Sequence, residues 1–179
     1  MVPVVETERL LLRGHRLEDF VPSSAMWADP IVTRYFGHCF SEEESWTLFL
    51  RYFGHWTLLG FGYWVVEEKA TGNFVGEIGF ADFKRDIQPR LDIPEIGWVL
   101  VSQSHGKGYA TEAVRAAVVW GERHFGPSRT TCIVHPENLP SLRVAEKCGY
   151  REVQRTTYKE HPAVVLVREP QMVAPIART

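Results

Sequence analysis

Apolar residues recur along this chain with two spacings, and their alternation predicts strands interleaved with helices. Segment 7–16, TERLLLRGHR, carries a leucine run of strand type, and LEDFVPSSAMWADP after it reads as a helix interrupted near Pro22. Ser41 with Glu44 three residues later forms a capping box, and Trp46, Phe49, Leu50 and Phe53 follow at i, i+3, i+4 and i+7 before Gly60. That spacing predicts a second amphipathic helix closed by glycine. FGYWVVEE, NFVGEIGFADF and IPEIGWVLV are β-branched and aromatic, the first two joined by KATG, a hairpin turn with Gly72. Three antiparallel strands are expected there. Ala110, Ala113, Val114, Ala117 and Val118 keep helical spacing between Gly106 and Phe125, and Gly126-Pro127 ends the run. RTTCIVHP then reads as a strand and LPSLRVAEKCG as a short helix stopped at Gly149. YREVQRTTYKE and AVVLVRE form a closing pair around His161-Pro162.

The resulting order is β-α-α-β-β-β-α-β-α-β-β, an α/β (α+β) chain. A long helix crossing between the strands at 95–101 and 129–135 makes those two parallel neighbours, so the sheet is mixed.

Composition narrows the function classes. A chain of 179 residues with 45% hydrophobic and 23% charged residues is globular, and a single domain over 1–179 is expected. Twenty basic against 22 acidic residues leave a formal net charge of −2, so no positive field draws the chain to nucleic acid or anionic membrane. An anionic ligand would have to be held locally. No apolar run approaches the ~20 residues of a membrane span, and MVPVVETERLLLR lacks the pattern of a secretion signal, which predicts a cytoplasmic protein. Cys39, Cys132 and Cys148 are odd in number, without a CxxC or a closely spaced His; all three are expected to be packing residues, with no metal site.

One stretch carries chemistry. QSHGKGYATEA (103–113) places Gly106 and Gly108 directly ahead of a helix. A helix start offers unpaired N–H groups and about half a positive charge, and glycine lets a phosphate approach the backbone. Neither a Walker A loop nor a Rossmann turn fits. The first needs Gly five positions before Gly106, where Val101 stands, and Ser or Thr after Lys107, where Gly108 stands; the second needs Gly or Ala at Thr111. Two glycines alone could equally mark a tight turn.

The stretch EIGWVLVSQSHGKGYATEAV, followed by HPENLPSLRVAEKCGYR, resembles the GNAT N-acetyltransferases, and within them the RimJ/RimL-like branch that acetylates protein N-terminal amines. Gln103, Gly106 and Gly108 match the family's coenzyme A signature, Q/R-x-x-G-x-G/A. Asn138, Ser141, Glu146, Lys147, Gly149 and Tyr150 match the branch's second pattern, and ETERLLLR its first strand. The resemblance implies a GNAT fold: a mostly antiparallel sheet of six to seven strands, helices on both faces, and a splayed central parallel pair.

It also implies acetyl-CoA as co-substrate and an amine as acceptor. Val99, Leu100 and Val101 would line the pantetheine arm as a missing strand would. Gln103 and the amides of Ser104, His105, Gly106, Lys107, Gly108, Tyr109 and Ala110 would hold the pyrophosphate, with Asn138 on a pantetheine amide. A peptide α-amine has a pKa of ~8, so a carboxylate must take its proton. Glu95 heads the splayed strand and Glu77 is the rival. A main-chain N–H near Leu100 or Val101 would receive the oxyanion. Ser141 would serve the leaving thiolate or cap the next helix. Tyr150 is expected in the core, and each histidine in a loop or at the surface. Trp27, Tyr35, Phe36, Trp46 and Phe53 are read as core or as part of an acceptor groove built by segments 17–60 and 155–163. A homodimer is the family-level expectation. A non-catalytic acyl-CoA sensor, or an enzyme acting on a small amine or antibiotic, stays open beside the N-terminal acetyltransferase.

Overall fold

The computed structural model describes residues 1–88 and 92–170. Residues 171–179 of the expected domain lie outside the described residues. In chain order the elements are β1 (Val5–Glu6), β2 (Leu10–Arg13), α1 (Phe20–Ala28), α2 (Glu42–Leu59), β3 (Tyr63–Glu68), β4 (Phe74–Ala81), β5 (Glu95–Leu100), α3 (Tyr109–Phe125), β6 (Thr130–Val134), α4 (Leu139–Lys147), β7 (Arg151–Tyr158) and β8 (His161–Arg168). The strands form one sheet in the order β1-β2-β3-β4-β5-β6-β8-β7. β5 and β6 are parallel and the other pairs antiparallel.

The sheet has eight strands where six to seven were expected. The additional strand, β1, precedes the expected segment 7–16: the chain folds back at Thr7, whose amide donates to the Leu10 carbonyl at 2.9 Å and whose hydroxyl accepts from the Leu10 amide at 2.9 Å, so that Val5–Glu6 pairs with β2. Pro22 does not interrupt α1. It stands at the third position, where its missing N–H has no helical partner to lose, and a 3-10 turn over Leu17–Asp19 precedes the helix. The closing hairpin turns at Lys159 and Glu160, both at positive φ, two residues before the expected place; Pro162 lies within β8 opposite Thr157. α2 has the expected ends: Ser41 Oγ accepts from the Glu44 amide at 3.2 Å, Glu44 Oε2 accepts from the Ser41 amide at 2.8 Å, and Gly60 closes the helix in the left-handed conformation.

Each face of the sheet has its own core. Trp64, Ile78, Phe80, Ile96 and Leu100 pack with Ala113, Val114 and Ala117 of α3 and Ala145 of α4. On the other face Tyr63 and Ala81 pack with Met26 and Trp27 of α1 and Leu48 and Tyr52 of α2. Cys132 and Cys148 are buried as expected, and Tyr150 is fully buried, its hydroxyl 2.8 Å from Thr130 Oγ1. Cys39 departs from the expectation, because it sits in the exposed connection between α1 and α2. Among the described residues no helix is long and apolar enough to cross a membrane.

Candidate active site

The sheet opens at its centre. β5 pairs with β4 over six positions and β6 with β8 over five, yet β5 and β6 share a single register pair, Glu95 with Thr131. The Thr131 amide still reaches the Pro94 carbonyl at 3.0 Å, and beyond that the two strands diverge. The Val101 amide donates to the Val75 carbonyl at 3.0 Å. An antiparallel ladder alternates, so Val99 and Val101 turn their main-chain groups to β4 while Trp98 and Leu100 turn theirs into the gap. Of the two amides expected for an oxyanion, Val101 is therefore already committed to its neighbour. The Leu100 carbonyl, at the mouth of the gap, meets His105 Nε2 at 3.0 Å.

The glycine loop follows directly. Ser102–Ser104 form a 3-10 turn in which the Ser104 amide donates to Val101 and the His105 amide to Ser102. These two expected donors are thus already engaged. Among the described residues no hydrogen-bond acceptor takes the amides from Gly106 to Ala110, so the usable row is shorter at its start. Gly106 and Gly108 both have positive φ, 75° and 80°, and a Cβ at Gly106 would meet nothing within 4 Å. Both glycines are required by backbone conformation; the side of Gly106 is bare, whereas a Cβ at Gly108 would lie 3.5 Å from Arg9 Nη2. The Lys107 ammonium lies 5.9 Å from the Tyr109 ring, and the Tyr109 hydroxyl donates to Glu68. Gln103 lines a separate open groove of about 410 Å³ with Met26, Asp29 and Ser102, on the α1 side.

Across the gap, Asn138 caps α4: its Oδ1 accepts from the Ser141 amide at 3.2 Å. Ser141 is thus the third residue of the helix and not its cap, and its hydroxyl carries no capping duty. The cap uses the carbonyl side of the Asn138 carboxamide and leaves Nδ2 as the side able to meet a ligand.

The two carboxylates differ in setting. Glu77 has no exposed surface and is surrounded by donors: Ser23 Oγ at 2.7 Å, Trp27 Nε1 at 3.1 Å and His15 Nε2 at 3.3 Å. His15, expected at the surface, is sealed in this cluster and stacks on Tyr52 at 4.9 Å. His55 is buried too, its Nδ1 on the Arg51 carbonyl at 2.9 Å. Glu95 opens onto a small cavity with Ala81, Phe83, Ile93 and Thr131, and Arg85 binds both of its oxygens, at 2.6 and 2.7 Å. The Arg85 guanidinium lies between the rings of Phe83 and Tyr158, 4.7 and 4.8 Å from their centroids.

Three segments converge above this gap on the α1/α2 face. Tyr35, between α1 and α2, stacks on His135 at the end of β6, 5.3 Å between centroids. A Cβ on Gly37 would come within 2.9 Å of His161 Nε2 at the β7–β8 tip, and Arg85 reaches Tyr158 in the same hairpin. The expected groove segments are thus brought together. Of the five aromatics, only Trp27 is in the core; Phe36, Trp46 and Phe53 are more than one-third exposed and Tyr35 is half-buried.

Tyr63 was not among the expected site residues. Tyr63, Gly79 and Gly97 are register partners across β3, β4 and β5; the phenol reaches Gly97, where a Cβ would collide with its hydroxyl, whereas a Cβ at Gly79 would meet the backbone of Gly62 and Tyr63. Burial, with Glu95 nearby, pushes this phenol well above its ordinary pKa and keeps it protonated. Gly97 inside a strand was the available signal of a close approach.

Residues 9–151 match the acetyltransferase (GNAT) domain. The chain is 38% identical to YkkB of Bacillus subtilis over 92 residues, half of this chain and 51% of that protein. It is 27% identical to the N-acetyltransferase YoaA of Bacillus subtilis over 154 residues, 85% of each chain. The crystal structure of an acetyltransferase from Agrobacterium tumefaciens is 26% identical and superposes with a TM-score of 0.82 over 94% of this chain and 95% of that one. At 14% and 18% identity, RimL, a ribosomal L7/L12 α-N-protein acetyltransferase, and the aminoglycoside acetyltransferase AAC(6')-Ib, each solved with coenzyme A, share the fold with TM-scores of 0.73. The first covers 94% of this chain and 98% of its own, the second 89% and 94%.

Proposed function

The chain belongs to the GNAT acetyltransferase family, and from that premise we propose that it uses acetyl-coenzyme A to acetylate a protein N-terminal α-amine, with the coenzyme lying in the β5–β6 gap. The observation that carries the location is the coincidence of two features: a parallel pair joined at one register position, and a row of free amides from Gly106 to Ala110 at its mouth. Both suit the ligand, since an extended amide-bearing arm needs unpaired main-chain groups and a diphosphate needs several donors at once. When bound, acetyl-coenzyme A supplies the acetyl group as an activated thioester.

The remaining roles belong to the chain's own residues. The Gly106–Ala110 amides and the positive end of α3 receive the diphosphate. The Trp98 main-chain groups and the Leu100 amide are offered to the arm, and Asn138 Nδ2 adds a donor from the other side. Glu95, in reach of solvent through its cavity, takes the proton of the incoming amine through one water; Glu77, sealed and held by three donors, is the poorer candidate. Ser141 Oγ donates to the sulfur as it leaves. The N-terminal acceptor rests on the RimJ/RimL-like pattern of Asn138, Ser141, Glu146, Lys147, Gly149 and Tyr150 and on a rim of Tyr35, His135, Tyr158 and His161.

One observation favours a second reading, an acyl-coenzyme A sensor without turnover: Arg85 already occupies both oxygens of Glu95. Acetyl-coenzyme A offered with N-terminal peptides, small polyamines and aminoglycosides, with release of free thiol recorded, separates these possibilities. Turnover with the peptides supports the proposal. Turnover confined to a small amine replaces the acceptor, and background rates throughout with intact coenzyme binding favour the sensor.

A further inference from the structure

The guanidinium of Arg9 is committed to the back of the glycine loop. Four donors converge on the Glu112 carboxylate in the first turn of α3: Thr7 Oγ1 at 2.6 Å, the Arg9 amide at 2.9 Å, Arg9 Nε at 2.7 Å and Arg9 Nη2 at 2.6 Å. The remaining arm, Nη1, donates to the Lys107 carbonyl at 3.0 Å. The same guanidinium covers the Tyr109 ring at 4.6 Å.

The bond to Lys107 has a geometric effect. In a trans peptide the carbonyl and the following N–H point to opposite sides, so a Lys107 carbonyl drawn back to Arg9 turns the Gly108 N–H outward. Gly108 at positive φ could rotate that peptide at little steric cost, and the Arg9 bond opposes the rotation. The contact with Glu112 has an electrostatic effect. A carboxylate in the first turn would oppose an anion at the same helix end, and the guanidinium neutralises it within hydrogen-bond distance.

We infer that Arg9 is a positioning residue for the coenzyme's diphosphate: one planar fork fixes the Lys107–Gly108 peptide with its N–H outward and cancels the charge of Glu112 beneath it. The inference rests on the proposed diphosphate cradle. It assigns Arg9 no direct bond to the ligand.

Calorimetric titration tests it with two probes, coenzyme A and dephospho-coenzyme A, which both carry the diphosphate and differ in the 3′-phosphate. Arg9→Ala should weaken both by the same factor, about tenfold or more, the scale of a hydrogen bond to a charged group. Arg9→Lys should not restore affinity, because an ammonium cannot span Glu112 and Lys107 at once. A variant that merely unfolds lowers the number of sites per chain at unchanged affinity, so stoichiometry separates structural loss from positioning. Glu112→Gln, which keeps the bond to Lys107, should cost less than Arg9→Ala. Unchanged affinity in Arg9→Ala, full rescue by Lys, or a loss seen with coenzyme A alone would each overturn the inference. If Gly106→Val, whose side chain would stand in open space clear of Arg9, also leaves affinity unchanged, the cradle itself is misplaced; if Gly106→Val fails to bind while Arg9→Ala binds normally, only the role of Arg9 falls.

Discussion

Arg85 grips Glu95 with both prongs of its guanidinium, Nε to Oε2 at 2.6 Å and Nη2 to Oε1 at 2.7 Å, at the point where β5 leaves β6. Glu95→Gln preserves shape and removes the proton acceptor. We expect kcat to fall about 100-fold with coenzyme affinity unchanged, measured by steady-state kinetics and calorimetry. Arg85→Met should cost about 2 kcal/mol in urea denaturation, less than a fully buried pair because a quarter of the Arg85 side chain is exposed. A Glu95→Gln enzyme with normal kcat would remove Glu95 from the chemistry.

Gly106 and Gly108 separate conformational from ligand effects. Gly106→Ala has free space in the protein, so its cost in stability should be the positive-φ penalty of about 1 kcal/mol. Gly108→Val puts a branched side chain at positive φ against Arg9 Nη2, distorts the loop at the start of α3 and should weaken coenzyme A binding more than tenfold. Thermal melting and calorimetry on both variants check this; equal coenzyme affinity in wild type and Gly108→Val contradicts it.

Glu77 should matter for folding. Glu77→Ala strands the donors of Ser23, Trp27 and His15 in the core and should cost about 3 kcal/mol. Glu77→Gln retains acceptor capacity and should recover part of that loss, with kcat of the folded fraction close to wild type. A collapse of kcat in a well-folded Glu77→Gln protein would reinstate it as the base.

Asp19 supplies an acid limb to stability. Burial alone would raise its carboxyl, but the forked Arg13 contacts at 2.8 Å and the Arg16 amide at 2.7 Å outweigh burial and hold it below its ordinary value. A group with a lowered folded pKa binds fewer protons when folded, so its contribution is full above the unfolded value of ~3.9 and is lost as pH falls through the folded one. The melting temperature should fall below about pH 4, and Asp19→Asn should lower it at pH 7 while flattening that decline. An identical acid decline in both proteins would exclude Asp19 as its source.

The parts of this fold legible in sequence are those with local signals. Ser41, Glu44 and Gly60 mark both ends of α2, and Gly106, Gly108 and Gly126 bracket α3 within a few residues. The closing turn falls two residues before His161-Pro162 because Lys159 and Glu160 take positive φ without a glycine, leaving Pro162 as the visible punctuation. The site divides in the same way. The free amides of 106–110 follow a readable motif, whereas the engagement of Ser104, His105 and Val101 depends on a 3-10 turn and a ladder partner that no spacing announces. Arg9 meets Glu112 across 103 residues, and Tyr63 reaches Gly97 across an intervening strand; such meetings are set by packing and lie outside any local window.

β5 stands in the middle of eight strands with one flank laddered and the other nearly bare. In deuterated buffer its neighbouring amides should therefore part company: Val99 and Val101 slow, Trp98 and Leu100 as quick as those of a peripheral ribbon. Of these two pairs, added coenzyme should slow only the second, so that isotope uptake at Trp98 and Leu100 reports occupancy without any need to identify the acceptor.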